Sequence, residues 1–149
     1  MSKRKWWILA AIAWMASIFM ATQLPYFTGQ NTAKVIEKAV VKERVAVENP
    51  GATSKEVNKL NLLVRKSTHV IVFGILALLL YKSMEPLRFS YLLAWFTTTL
   101  YAITDEWHQS FVPGRSAAFQ DVILDSMGAL VALYILFFIN TYVKRAAKV

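Results

Sequence analysis

The side chains with chemistry to offer stand in three short stretches. In Lys66-Ser67-Thr68-His69 a cation precedes an imidazole by three residues. In Asp105-Glu106-Trp107-His108-Gln109 two adjacent carboxylates lie beside a second histidine. Val112-Pro113-Gly114-Arg115 follows and reads as a turn, because proline fixes φ and glycine allows a tight reversal. Asp121 and Asp125 lie one helical turn apart, and positions 121, 125 and 128 share one helical face, where Gly128 offers a smooth spot for close packing. By residue type, His69, Glu106 and Asp105 are the candidate general bases. Arg115 carries a guanidinium that can fork to a carboxylate or a phosphate, and with Lys66 and protonated His69 it is suited to hold negative charge. The candidate ligand-binding set is therefore Lys66, His69, Asp105, Glu106, Gln109, Arg115, Asp121 and Asp125. The competing reading is structural: an ion-pair knot in which Asp121 and Asp125 turn toward Arg115, Lys66 or His69 and lock the helix ends.

Other chemistries find little support. There is no cysteine, so disulfides, thiolate metal sites and cysteine nucleophiles are excluded. Two histidines with carboxylates are zinc ligands in principle, but no H-E-x-x-H or comparable spacing occurs, and no metal is expected. No G-x-S-x-G, Walker loop or dinucleotide fingerprint is present, so no cofactor is expected either.

The elements that position these residues are apolar. The chain has 149 residues, of which 56% are hydrophobic and only 17% charged. Its mean hydropathy is +0.41. Soluble domains carry about 25% charged residues, so a soluble globular protein and a disordered chain are both disfavoured. Trp6 to Leu24 is an uncharged run of 19 residues, long enough to reach about 28 Å, close to the ~30 Å hydrocarbon core. Val70 to Tyr81, Phe89 to Thr104 and Val122 to Val143 are further apolar runs. The predicted fold is all-α: a single-domain integral membrane bundle of four transmembrane helices at about 6–24, 66–82, 89–108 and 121–143. An extracytoplasmic segment at about 25–65 joins the first two. Within it, Thr32 to Val45 reads as a short helix on the outer leaflet, Asn49-Pro50-Gly51 as a breaker, and Asn58 to Val64 as an interfacial helix. A basic start before an apolar stretch also fits a signal peptide. The run is long for that, and Met20-Ala21-Thr22 is a poor small-x-small site, so an uncleaved first helix is expected.

The formal net charge of +8 comes from 17 Lys and Arg against 9 Asp and Glu. The basic residues scatter to the helix ends, which points to membrane orientation and anionic lipid rather than nucleic acid. Lys3-Arg4-Lys5 immediately precedes the first run and places both termini in the cytoplasm. The long segment from Pro25 to Lys66 holds as many basic residues as the three inside pieces together, but long segments translocate with less regard to charge. By parity of crossings His69, the Asp105–Arg115 stretch and Asp121 face one side, predicted to be extracytoplasmic.

At these residues the sequence resembles the VanZ-like family of small bacterial membrane proteins. Ile18-Phe19 and Thr28-Gly29-Gln30-Asn31-Thr32 look like the end of the family's first helix and its polar continuation. Arg65-Lys66-Ser67-Thr68-His69, followed by Phe73-Gly74 and Leu76, is similar to its K-x-x-H motif at the second helix. Asp105-Glu106-x-x-Gln109-x-Phe111, then Arg115, then Asp121, is similar to its D-E-x-x-Q-x-F…R…D signature, and Gly128 matches the glycine that follows. The family often has Asn where this chain has Asp125. The resemblance implies a cell-membrane location and a link to low-level resistance to the glycopeptide teicoplanin, with no settled reaction.

Three functions compete at the sequence level. One is a pocket binding the headgroup of a membrane lipid or lipid-linked cell-wall precursor. The second is an enzyme acting on a lipid-linked phosphate through His69 or Glu106. The third is a non-catalytic scaffold for another membrane protein. A transporter is disfavoured, because no polar path crosses toward the Lys82–Arg88 side.

Overall fold

The computed structural model describes residues 2–23, 29–43, 50–112 and 117–146, and the regular elements among them are all helical. They are α1 (Lys3–Gln23), α2 (Gly29–Glu43), α3 (Pro50–Met84), α4 (Ser90–Gln109) and α5 (Phe119–Ala146). The all-α expectation is met. The chain between the first two expected spans departs from its prediction. It is largely helical: α3 begins at Pro50, where the missing N–H of proline costs nothing, and continues without a break through the segment expected to hold a separate interfacial helix. At 1.5 Å per residue α3 is about 50 Å long, well beyond the ~30 Å of hydrocarbon. The helix expected near Thr32 to Val45 exists as α2, packed on the overhanging part of α3, with Thr32 Oγ1 2.8 Å from Asn61 Oδ1. Asn49, Arg44 to Val47 and the Pro113-Gly114-Arg115 turn lie outside the described residues.

Hydrogen bonds between helices fix their directions. Arg4 Nε donates to Ser83 O at 3.2 Å and Trp14 Nε1 to Val72 O at 3.0 Å, so α1 runs antiparallel to α3. Tyr101 Oη donates to Met15 O at 2.6 Å, and Thr22 reaches Asp105, so α1 and α4 run parallel. Trp95 Nε1 donates to Ser126 O at 3.2 Å, and Asn140 Nδ2 to Tyr91 Oη at 3.0 Å, which sets α4 antiparallel to α5. Trp14 and Trp95 are thus packing residues anchored by their N–H groups, whereas Trp6 and Trp107 are largely exposed.

Each helix turns one stripe inward. On α3 it runs Val57, Asn61, Arg65, His69, Phe73, Ala77 and Tyr81, spaced four residues apart. On α4 it is Ser90, Ala94, Thr98, Ala102, Asp105 and Gln109. On α5 it is Val122, Asp125, Ala129 and Leu133. The outward faces of α4 and α5 are largely apolar, with Leu92, Phe96, Leu100 and Ile103 on α4 and Met127, Leu130, Val131 and Tyr134 on α5.

Among the described residues three helical stretches are long and apolar enough to cross a membrane: Lys3–Gln23, Glu56–Met84 and Phe119–Ala146. The fourth expected span, α4, falls short on composition because Thr97-Thr98-Thr99, Asp105 and Glu106 dilute its apolar content.

Inside a bilayer, lipid tails are as apolar as leucine, so helices associate through close packing and hydrogen bonds. The tightest approach here is between α3 and α5. A Cβ added at Gly128 would meet Val70 O at 2.8 Å and Val70 Cα at 2.9 Å, both backbone atoms. At Gly74 an added Cβ would meet Ala132 Cβ at 3.4 Å, nearly an ordinary contact. Gly128→Ala is therefore expected to force α5 off α3 at a cost of about 1–3 kcal/mol, read as a lower unfolding temperature in detergent. Gly74→Ala should change it little. Equal effects would mean that the Val70 contact does not set the helix spacing.

Candidate functional site

The polar stripe residues of α3, α4 and α5 meet at one end of the bundle, remote from the Arg4–Ser83 contact. His69 and Asp105 each lie fifteen residues along their helices from Met84 and Ser90, a depth of about 22 Å at 1.5 Å per residue. A carboxylate so placed must be paired or wet, and the structure accounts for each one in turn.

Asp125 is fully buried. Its two oxygens lie 3.1 and 3.3 Å from His69 Nδ1. With the carboxylate ionised, which leaves it only accepting, Nδ1 is the donor of this contact. The imidazole also stacks on Phe73 one turn further along α3, with centroids 6.2 Å apart and planes 10° apart. Asp105, buried, accepts from Thr22 Oγ1 of α1 at 3.1 Å and from Gln109 Nε2 at 2.8 Å. Glu106, also buried, accepts the backbone N–H of Ala118 at 3.0 Å, just before the first turn of α5. That end of a helix presents unsatisfied N–H groups and partial positive charge, so Glu106 of α4 acts there as a cap. Asp121 is half-buried in the same first turn, close enough to interact electrostatically with His69, Glu106 and Asp125.

A cavity of about 330 Å³ opens beside this layer, between α1, α2, α3 and α4. Its polar wall includes Thr22, Thr32, Arg65, Thr68, His69 and Asp105, and its apolar wall Ile18, Val64, Val72 and Phe73. That size and mixture suit a small organic ligand or the head of an amphiphile.

The predicted set is partly redistributed. His69 and Asp105 line the cavity, Gln109 orients Asp105, and Asp125 orients His69. Glu106 is engaged at the start of α5. Lys66 does not join them. It is exposed on the far flank of α3, in a shallow groove with Ser67, Val70, Ile71 and Leu124. Arg115 lies outside the described residues. His108 is exposed and edge-on to Phe19 at 5.2 Å.

The cation at the cavity is Arg65, which opens the K-x-x-H stretch but is not in the candidate ligand set. Residues four apart on a helix differ by about 40° in direction and residues three apart by about 60°, on the other side. The stripe through Asn61, His69 and Phe73 therefore takes in Arg65 and leaves Lys66 outside. Half-buried on the cavity wall, Arg65 has no side-chain hydrogen-bond or ion-pair partner among the described residues. Among those residues no cluster of three or more histidine or acidic side chains is arranged to hold a metal ion.

The family described as VanZ/LLP1 has a model that matches residues 7–140. No curated protein and no solved structure matches the chain.

Breaking a buried charged pair by removing one partner costs about 3–5 kcal/mol, whereas replacing both by apolar groups is far milder. His69→Phe should destabilise the protein by roughly that amount, and the double variant His69→Phe/Asp125→Leu should recover most of the loss. Thermal or denaturant unfolding in detergent measures both. A His69→Phe protein as stable as wild type would remove the pair from its structural role.

Proposed function

The chain belongs to the VanZ/LLP1 family, and on that basis we propose that it is a four-span membrane protein whose cavity binds the phosphate-bearing head of an anionic lipid or lipid-linked envelope precursor. The observation that carries this reading is Arg65. A guanidinium half-buried in a cavity wall, with no carboxylate attached among the described residues, is a site for an external anion. The carboxylates at the same level already have donors: His69 for Asp125, Thr22 and Gln109 for Asp105, Ala118 N–H for Glu106. Ile18, Val64, Val72 and Phe73 offer apolar surface for the start of a lipid tail. Binding of a cell-wall precursor would alter its display at the surface, a route to changed susceptibility toward teicoplanin-type glycopeptides.

Nanodiscs test the binding. Phosphatidic acid or polyprenyl phosphate in a phosphatidylcholine disc is expected to raise the unfolding temperature of the wild type. Arg65→Ala should lose most of that rise and Lys66→Ala should keep it. A rise unaffected by Arg65→Ala, or lost equally in both variants, would overturn the assignment.

In this reading α4 is the fourth span and the cavity end is extracytoplasmic. The antiparallel fit of α4 against α3 and α5, and its outward face of Leu92, Phe96, Leu100 and Ile103, support a crossing despite its polar inner stripe. Because the chain has no cysteine, single substitutions report on sidedness without background. A membrane-impermeant maleimide added to intact cells should label Ser110→Cys, and should label Ser2→Cys and Glu85→Cys only after the membrane is opened. Labelling of Ser110→Cys and Glu85→Cys from the same side would remove the α4 crossing.

A further inference from the structure

The cavity wall holds more than an anion contact. His69 stands on it with Nδ1 committed to a buried carboxylate, so Nε2 is the ring nitrogen left to meet an occupant, and no described side chain takes it. Histidine oriented in this way by a buried acid can accept a proton at Nε2, while the carboxylate stabilises the imidazolium that forms. Arg65 lines the same space and has no protein partner among the described residues.

We propose that this cavity hydrolyses a lipid phosphomonoester, with His69 as general base and acid, Arg65 as the charge stabiliser and Asp125 as the positioning residue. The proposal rests on the lipid-phosphate binding described above. Nε2 of His69 takes a proton from a water molecule as the water oxygen bonds to phosphorus. The bond between phosphorus and the lipid oxygen breaks, and the proton on His69 passes to that leaving oxygen. The products are the lipid alcohol and inorganic phosphate, with no change of oxidation state. Arg65 faces the non-bridging oxygens, where charge is spread in the transition state. The apolar wall of Ile18, Val64, Val72 and Phe73 selects an ester whose alcohol is a lipid.

The test uses the full chain in phosphatidylcholine nanodiscs, with phosphatidic acid as the probe and release of inorganic phosphate as the readout. The wild type should release phosphate catalytically. His69→Gln retains an amide able to donate to Asp125, and should cut the rate by about 10²–10⁴-fold while phosphatidic acid still raises its unfolding temperature. Asp125→Asn should lower kcat with little change in KM, a split that a merely destabilised protein would not give. Glycerol phosphate in solution should turn over far more slowly than phosphatidic acid, and equal turnover would overturn the lipid assignment. Release that is unchanged in His69→Gln would overturn the mechanism. If phosphatidic acid stabilises the wild type yet no phosphate appears, hydrolysis is overturned and binding stands. If neither effect is seen, both are overturned.

Discussion

A carboxylate with no exposed surface, Asp125, has to be answered from a neighbouring helix, and that requirement organises the bundle. In a medium without water, an unpaired carboxylate is among the most costly groups a helix can carry. His69 provides the answer, and it reaches because α5 lies close against α3 at Gly128. The pair therefore depends on Gly128, whose backbone meets that of Val70. The contact at Val70 brings the backbones together one residue after His69 and three after Asp125, so the polar pair and the close crossing act as one unit.

Around that unit the other polar groups divide between holding the helices and facing the cavity. Asp105 draws α1 to α4 through Thr22, and Glu106 draws the start of α5 to α4 through Ala118. Such bonds do in hydrocarbon what a hydrophobic core does in water. Arg65 and the free side of the His69 ring remain directed to the cavity, where the overhang of α3 and its partner α2 contribute Arg65, Thr68 and Thr32 to the wall. A single stripe on α3 thus serves both purposes: Phe73 and Ala77 pack the bundle, and Arg65 and His69 edge the opening.

Much of this was legible in the chain. The apolar runs predict α1, α5 and the apolar half of α3 because a span must be apolar along its whole lipid-facing length. The spacing of Asp121, Asp125 and Gly128 marks a buried face, and Asp125 and Gly128 do lie on it. Two features were harder to read. Helix α4 carries an inner stripe of Thr98, Asp105 and Gln109 behind an apolar outer face, which lowers the average that hydropathy measures. The continuous α3 hides behind Asn49-Pro50-Gly51, where proline opens the helix and the polar residues that follow look like loop because only one side of the turn is covered, by α2.

The sequence by itself determined a helical membrane protein of this family, the residue types at its polar end and the common level of its ionisable groups. Those follow from local composition and from helical period, which neighbours in the chain settle between themselves. Only the tertiary structure decided which cation faces inward, which acid each donor serves and that a cavity separates them. Arg65 and Lys66 are adjacent and alike in charge, so nothing local tells them apart. The direction in which α3 presents its buried stripe does, and that is set by the packing of α1, α4 and α5 around it.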